Sequence, residues 1–397
     1  MDKNTSTVQR HQVLFHGKAG EYFSIWLVNA LLSMITLGIY SAWATVRRRR
    51  YFYGNTEIAG DRFDYHANPI DILKGRIIVF VGFVLFMLLS AILPGVTVVF
   101  MLAFLALIPW IVIRSWRYNA IMSSFRGVRF NYHCRVGRAY WVMYAAPVLL
   151  ILAAYLVMSI FIGIAYSQFE TNMNAAIIIG GIGVLFFLLI LTAMQGIVSA
   201  MTQDLYVNNM FFGTQAFKAE LSKKTFIKIV MLSFLIMLPF LLLGGYLVGT
   251  FFGAMMFASA MGMTDPEMMN GLMLASAPNL ILGWFVLLIG GLVASAYLLV
   301  AQRNYVFNQT KLGEQLRLKS SMSTGSYMGL ILLNSLIVIF TLGLGAPIAE
   351  VRLARYLAER TALEGDISLA GVEAHHDAAN SAVAEEVVSA FDLNPGV

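Results

Sequence analysis

Charge is the scarcest ingredient of this chain. Asp, Glu, Lys and Arg make up 12% of its 397 residues, against 59% hydrophobic residues and a mean hydropathy of +0.75. A soluble domain carries about twice that share of charge, so a water-soluble globular protein is excluded at the outset. Cysteine is almost absent: Cys134 stands alone, which rules out an internal disulfide and a cysteine-rich metal site. No nucleophile elbow, P-loop, HExxH or paired-carboxylate motif occurs, so an enzyme is not expected and no cofactor is implied. The long apolar runs also lack acidic residues, which weighs against a proton-coupled transporter.

What is abundant is apolar sequence gathered into runs. Stretches of about 18 or more uncharged residues can satisfy their backbone polar groups in lipid only as helices. Such runs occupy Tyr22 to Trp43, Ile77 to Leu93, Val96 to Ile113, Trp141 to Tyr166, Ala175 to Met201, Phe226 to Ala260, Gly271 to Ala301 and Tyr327 to Ala349. They predict an all-α polytopic membrane protein with six to eight membrane helices. Three regions follow: a polar segment over 1–20, an integral membrane domain over 21–366, and an acidic tail over 367–397 whose composition predicts a flexible extension. The net charge of +6 is concentrated in four loops that hold Arg47 to Arg50, Arg114 to Arg138, Lys218 to Lys224, and Arg303 to Lys319. The turns at Pro94-Gly95, Ser167 to Asn174 and Gly262 to Asn270 hold no Lys or Arg. The positive-inside rule therefore places the basic loops in the cytoplasm.

A gapless repeat links the two ends. Gly20, Tyr22, Asn29, Thr36-Leu37-Gly38, Arg47, Arg50-Tyr51, Thr56 and Gly60-Asp61 recur 305 positions later as Gly325, Tyr327, Asn334, Thr341-Leu342-Gly343, Arg352, Arg355-Tyr356, Thr361 and Gly365-Asp366. About sixteen of the forty-two aligned positions are identical, which makes duplication the economical explanation. A second repeat, at a step of 67, relates Arg50-Tyr51 and Thr56 to His66 with Arg117-Tyr118 and Ser123 to His133. Alternating apolar and polar residues around a central glycine predict a β-hairpin in each copy. Fainter echoes after the later segments raise the number to as many as five short cytoplasmic hairpins.

These hairpins create a problem of parity. If all eight runs cross, the first and last copies of one repeat lie in opposite orientations. Re-entrant helices resolve it, broken at Gly38 and Gly343, where glycine weakens the helix and the preceding threonine can satisfy freed carbonyls. Each run is also long enough to cross, so both arrangements stay open at this stage. Re-entry gives six spans and two cytoplasmic termini.

Several side chains invite a functional reading. Asn29, Gln195 and Asn334 lie within apolar runs, where an amide serves either a contact between helices or a ligand in a cavity. Arg47, Arg48, Arg49 and Arg50, with Arg114 and Arg117, sit at helix exits and are expected to hold anionic lipid headgroups, each charge contributing about 1 kcal/mol. Membrane lipids are thus the expected partners. Nucleic acid is not, since no folded basic domain surrounds the arginines. His66 and His133 close equivalent Phe-x-Tyr-His strings and, with Cys134, form a weak candidate metal or proton-relay site. An interfacial hydrogen bond is the ordinary use of such a histidine. The series Gly245, Gly249 and Gly253, together with Gly180-Gly181 and Gly290-Gly291, has the small-residue spacing that lets helices approach closely.

The strings Phe15-His16-Gly17, Thr36-Leu37-Gly38-Ile39-Tyr40-Ser41-Ala42-Trp43-Ala44, Val46 to Tyr53, Tyr65-His66-Ala67 and Leu73-Lys74-Gly75-Arg76 resemble the YjgN family of bacterial inner-membrane proteins. The resemblance implies a multi-pass protein of the Gram-negative inner membrane and carries no activity or catalytic residues with it. Two functional classes remain. One is a transporter or channel-like protein for a small molecule or lipid. The other is a non-catalytic scaffold whose basic hairpins bind anionic lipid or a partner. A membrane enzyme comes third and requires His66, His133 and Cys134 to converge.

Overall fold

The cytoplasmic hairpins do not stand apart; they merge into a single closed barrel. A computed structural model describes residues 9–263 and 265–366. The chain runs β1 (Arg10–Phe15), α1 (Ala19–Ile35), α2 (Ser41–Gly54), β2 (Thr56–Ile58), β3 (Asp61–Tyr65), α3 (Pro69–Ile92), α4 (Pro94–Met122), β4 (Ser123–Phe125) and β5 (Val128–Tyr132). It continues with α5 (Val136–Gln168), which contains a π turn at Trp141–Ala145, then α6 (Met173–Val207), β6 (Met210–Phe212) and β7 (Gln215–Ala219). The last elements are α7 (Lys223–Ala260), α8 (Pro266–Gln309), β8 (Thr310–Leu312), β9 (Leu316–Ser320), α9 (Thr324–Phe340), α10 (Ala346–Glu359) and β10 (Thr361–Glu364). Each of five units is therefore a strand, two antiparallel helices and a strand. The ten strands pair in chain order and close where β1 meets β10.

Closure follows from the length of the strands. None exceeds six residues, and an isolated hairpin of that size is marginal in water. Each hairpin turns an apolar face to one side: Ile58 and Phe63, Phe125 and Phe130, Phe212 and Phe217, Leu312 and Leu316. Burying one such side chain contributes about 1.5–3 kcal/mol, and only a barrel covers them all while removing every edge. The outward positions between them carry Arg62, Arg129, Lys218 and Arg317, all exposed. The turns are those the glycines predict: Ala59 and Gly60 have φ of 51° and 90°, and Arg126 and Gly127 have 51° and 78°, the double positive-φ pattern that matches strand twist. The fifth hairpin is a correction. β10 is answered not by a following strand but by β1, which lies within the segment read from sequence as a polar lead-in.

The junction from helix to strand is built the same way five times. The first residue of the strand, or the one before it, turns its side chain back to the carbonyl four residues earlier. Thr56 Oγ1 donates to Phe52, Ser123 to Asn119, Asn209 Nδ2 to Leu205, Thr310 to Val306 and Thr361 to Leu357, at 2.7–2.9 Å. Each bond satisfies a carbonyl that the helix end leaves without a partner. Tyrosines of the repeat hold the start of the unit's first helix: Tyr51 Oη donates to Lys18 O at 2.9 Å and Tyr356 Oη to Ser323 O at 3.2 Å.

Among the described residues six helices, α3 to α8, are long and apolar enough to cross a membrane. α1 and α9 have 17 residues each, and α2 and α10 have 14 each. Because β1 and β2 lie side by side in the barrel, α1 and α2 leave it and return to it. The same holds for α9 and α10 between β9 and β10. Both hairpins break at their shared Thr-Leu-Gly string, where Leu37 and Gly38 have φ of 50° and 90° and Leu342 and Gly343 have 50° and 92°. Thr36 and Thr341 each donate Oγ1 to a carbonyl four residues back and accept the N–H four residues on. An even number of crossings results, with β1 and β10 on the side that carries the arginines. The acidic tail over 367–397 lies outside the described residues.

The helices form a ring. Each packs on its neighbours in chain order, and α10 packs on α1; no other pair of helices makes comparable contact among the described residues. Between 6% and 22% of the most apolar stretch of each span is buried by protein, so both the outer and the inner face of the ring meet lipid or another apolar phase. At the joint of α4 and α5, Pro109 deprives Leu105 of its helical N–H donor, and Tyr144 Oη donates to the freed carbonyl while Tyr140 Oη donates to Ala106 O. The glycines read as a packing face divide: Gly290 lies at a close contact, where a Cβ meets Phe240 Cβ, while Gly180, Gly181 and Gly291 have open space. Gly245, Gly249 and Gly253 face open space, whereas Gly244 and Gly283 bring α7 and α8 so close that a Cβ on either meets the other's carbonyl oxygen at 3.0 Å.

Candidate functional site

Ten strands enclose more space than side chains need to fill, since eight already leave room for one small ligand. Within the barrel a cavity of about 270 Å³ is walled by Val13, Ile58, Phe125, Phe130, Phe212 and Leu318 together with neighbouring apolar groups. Thr56 and Thr361 also line it, but their hydroxyls are engaged with the helix carbonyls and leave methyl groups to the lumen. Two further cavities, of about 330 and 250 Å³, lie where the helix ends meet the barrel. Phe63 lines all three, and Tyr53 lines the outer two. The lumen thus adjoins, at its helix end, a vestibule under the ring, the two sharing walls formed by Val13, Thr56, Phe63 and Thr361. Burial pushes the Tyr53 hydroxyl above its usual pKa against the lowering effect of Arg49, so it stays a neutral donor in that vestibule.

A second cavity of a different character opens at the joint of α4, β5 and α5. It measures about 650 Å³ and is lined by Arg114, Arg117, Arg135, Arg138, His133 and Cys134, among others. Arg138 is paired with Asp204 at 2.5 Å, and Arg114 lies over the Trp110 ring at 5.7 Å. Four guanidinium groups and no carboxylate line this cleft, at the level where α4 leaves the membrane. Such a cleft suits a phosphate or an anionic headgroup.

The sequence-derived candidates separate into those the fold uses internally and those it leaves outside. Arg49 donates to Tyr65 Oη and Asn119 Oδ1 at 2.7 and 2.5 Å, and Arg50 to the carbonyls of Tyr65 and Ala67 at 3.2 and 3.3 Å. Arg49, half-buried, therefore fastens α2 to the first hairpin and to α4, whereas Arg50 makes its bonds while staying exposed. Arg47 and Arg48 remain exposed. Arg114 and Arg117 are brought together in the basic cleft. Gln195 is exposed on α6, while Asn29 and Asn334 are buried between the short helices, with Asn334 Nδ2 donating to Ala349 O at 3.2 Å. None of the cavities described above contains any of the three amides.

The histidine pair does not converge. The backbone N–H groups of His16, His66 and His133 donate to the carbonyls of Asn55, Met122 and Asn209, so the three occupy one position in successive units. His66 Nε2 shares a hydrogen bond with Ser124 Oγ at 2.7 Å, and His133 meets the edge of Phe211. Burial pushes the Cys134 thiol up, away from the reactive thiolate. No group of three or more His, Cys, Asp or Glu with metal-binding geometry occurs among the described residues.

Sequence reasoning passed over the lumen phenylalanines and Arg303, which lines the vestibule. A signal was present: Phe125 and Phe130 are spaced as Phe212 and Phe217 are, five residues apart across a turn. That spacing marks a hairpin; what the hairpin faces jointly enclose is visible only once the barrel closes.

Residues 10–390 match the model of a family described as bacterial proteins of unknown function, DUF898. Among curated relatives, inner membrane protein YjgN of Salmonella typhimurium is 32% identical over 363 residues, covering 90% of this chain and 89% of the relative. Inner membrane protein YjgN of Escherichia coli K12 is 29% identical over 378 residues, covering 92% and 91%. No solved structure matches the chain.

Proposed function

The chain belongs to this DUF898 family, with inner-membrane relatives named YjgN, and we propose that it binds a lipid-like amphiphile in its barrel and passes it to and from the bilayer. The reading rests on one observation above all: an apolar lumen adjoining a vestibule beneath a ring of helices that contact only their neighbours among the described residues. An acyl chain moving along that path stays in an apolar environment throughout, whereas leaving it for water costs about 0.8 kcal/mol per methylene. A polar solute gains nothing there, because the intramembrane amides are spent between helices or face outward. The transporter reading is therefore narrowed to lipids and related amphiphiles. No covalent step is needed, and we read the protein as a non-enzyme.

The test is a photocrosslink. With p-benzoylphenylalanine placed at Phe130 or Phe212, irradiation of cells should yield an adduct whose added mass is that of a lipid. A benzophenone at Leu85, exposed on α3, serves as the bilayer control. Adducts at Leu85 with none at either lumen position would exclude a lipid-filled barrel.

The scaffold reading draws on a separate observation, the basic cleft around Arg114 and Arg117. Headgroup capture there is compatible with the conduit, since it would anchor the barrel against the anionic inner leaflet. Vesicle flotation in the presence and absence of phosphatidylserine, with Arg114→Gln and Arg117→Gln together, separates the two. The double variant should weaken the preference for anionic vesicles without removing the lumen crosslink.

A further inference from the structure

We infer that the lumen's ligand is an anion, an amphiphile whose carboxylate or phosphate is received by Arg303 while its acyl chain occupies the barrel. The inference rests on the conduit reading above and adds the head to the tail. Arg303 lies near the barrel end of α8 and lines the vestibule cavity of about 330 Å³, whose wall it shares with Tyr53, Thr56, Phe63 and Thr361. Three of those four, Thr56, Phe63 and Thr361, also line the lumen. A head at Arg303 therefore leaves its chain pointing into the barrel.

The state of the guanidinium is what singles it out. Nη2 donates to Thr361 Oγ1 at 2.9 Å, the Nε is buried and has no partner, and the group stacks over Phe307 with its carbon 4.2 Å from the ring centroid. Among the described residues no carboxylate forms an ion pair with it. A half-buried guanidinium with one neutral acceptor and a buried, unpaired Nε is costly, because a donor withheld from water must be paired to recover the loss. A carboxylate or phosphate supplies both the acceptors and the opposite charge.

The repeat provides the control. Aligning Thr310 with Thr56 places Arg303 on Arg49, which has two side-chain acceptors in Tyr65 and Asn119. The same position in the second and fifth units is Trp116 and Ala354, and these too line the vestibule. The position thus lines the vestibule in the second, fourth and fifth units, and of these only the fourth brings a cation. Arg49 shows what the fold does when it wants an arginine for structure.

The experiment measures binding of three probes of equal chain length to the full-length protein in detergent, by displacement of a fluorescent fatty acid: a fatty acid, a monoacyl phosphate and the neutral fatty alcohol. Wild type should bind at least one of the anions about tenfold or more tighter than the alcohol, and comparison of the two anions tells carboxylate from phosphate. Arg303→Gln should bring that anion down to the alcohol's affinity and leave the alcohol unchanged; Arg303→Lys should keep part of the preference. Alcohol binding that is unchanged by Arg303→Gln serves as the folding check. If Arg303→Gln loses the alcohol as well, Arg303→Lys, which keeps the charge without the planar fork, takes its place and should hold the alcohol as wild type does while lowering anion affinity selectively. Equal binding of alcohol and anions by wild type, or anion preference that survives Arg303→Gln, overturns the assignment of Arg303 while leaving the conduit standing. Failure of all three probes to bind overturns both.

Discussion

The two short helical hairpins and the three long ones grow from the same barrel by the same junction, yet they meet the membrane differently. Arg47 in α2 and Arg114 in α4 are equivalent residues, one step of 67 apart. Counting from each arginine back to the turn, α2 has only Ser41 to Val46 whereas α4 has Pro94 to Ile113. At about 1.5 Å per residue, these lengths are roughly 9 Å and 30 Å. The first enters one leaflet and the second crosses the hydrocarbon. The turns agree with the lengths. Leu37 and Leu342 at the short apices are 95% and 93% exposed to whatever surrounds the protein, and only lipid makes that favourable. The turn of α5 and α6 instead carries Glu170, Thr171 and Asn172, which belong in water. Three full-height hairpins and two adjacent low ones leave the wall of the ring lowered on one side, where β1 meets β10.

The sharpest way to break this comparison is to ask which turns reach the far side. In a Cys134→Ser background, Thr171→Cys should react fully with a membrane-impermeant maleimide applied from the periplasm. Leu37→Cys and Leu342→Cys should stay unlabelled both there and in inverted vesicles. Periplasmic labelling of either leucine position would mean that all eight apolar runs cross.

A second difference lies in how the hairpins are held. α7 and α8 pack through Gly244 and Gly283, and a side chain at Gly283 meets Val248 Cγ2 at 2.8 Å and Leu247 Cβ at 3.1 Å. Gly283→Leu should destabilise by about 3 kcal/mol, at the upper end of overpacking, seen as a lower midpoint in thermal unfolding followed by tryptophan fluorescence. At the low hairpins the demand is conformational rather than steric. Gly38 and Gly343 have open space around the missing Cβ but φ of 90° and 92°, so Gly38→Ala and Gly343→Ala should each cost about 1–2 kcal/mol. Gly180→Ala in α6, with equal space and no positive φ, should cost nothing and gain up to about 1 kcal/mol from helix propensity. If Gly38→Ala and Gly180→Ala shift the midpoint alike, the break at Gly38 is not a strained turn.

The contrast also marks where the sequence is readable. Helix number, the basic face and the paired Thr-Leu-Gly breaks are written in local pattern: apolar run length, arginines at the exits, and a glycine in the same place twice. The barrel was not legible, because closure is a property of five hairpins together and each strand is three to six residues long. The part played by Arg10 to Phe15 was hidden for the same reason, since its partner, β10, lies at the other end of the chain. Arg49 looks like its neighbours in a run of arginines; only the helix, by turning about 100° per residue, sets it half-buried against protein while Arg47, Arg48 and Arg50 stay exposed. Arg303 was one basic residue among several in a loop until the fold put a cavity in front of it.

The smallest effect concerns the two amides that the repeat places in equivalent positions. Asn29 and Asn334 are buried alike, and the Oδ1 of each has no partner. Asn334 Nδ2 alone has a partner described in atomic detail, the carbonyl of Ala349 across its hairpin. Interhelical hydrogen bonds of this kind contribute about 0.6 kcal/mol in membrane proteins, and removing an amide also relieves its buried, unpaired oxygen. Asn334→Leu should therefore shift stability by no more than about 0.6 kcal/mol, and Asn29→Leu should be neutral or slightly stabilising. A loss of lipid crosslinking at Phe212 in either variant, with the unfolding midpoint unchanged, would show that these amides act on the ligand's path rather than on the hairpins. The polar reading of the short hairpins, which their packing gives no reason to adopt, would then have to be restored.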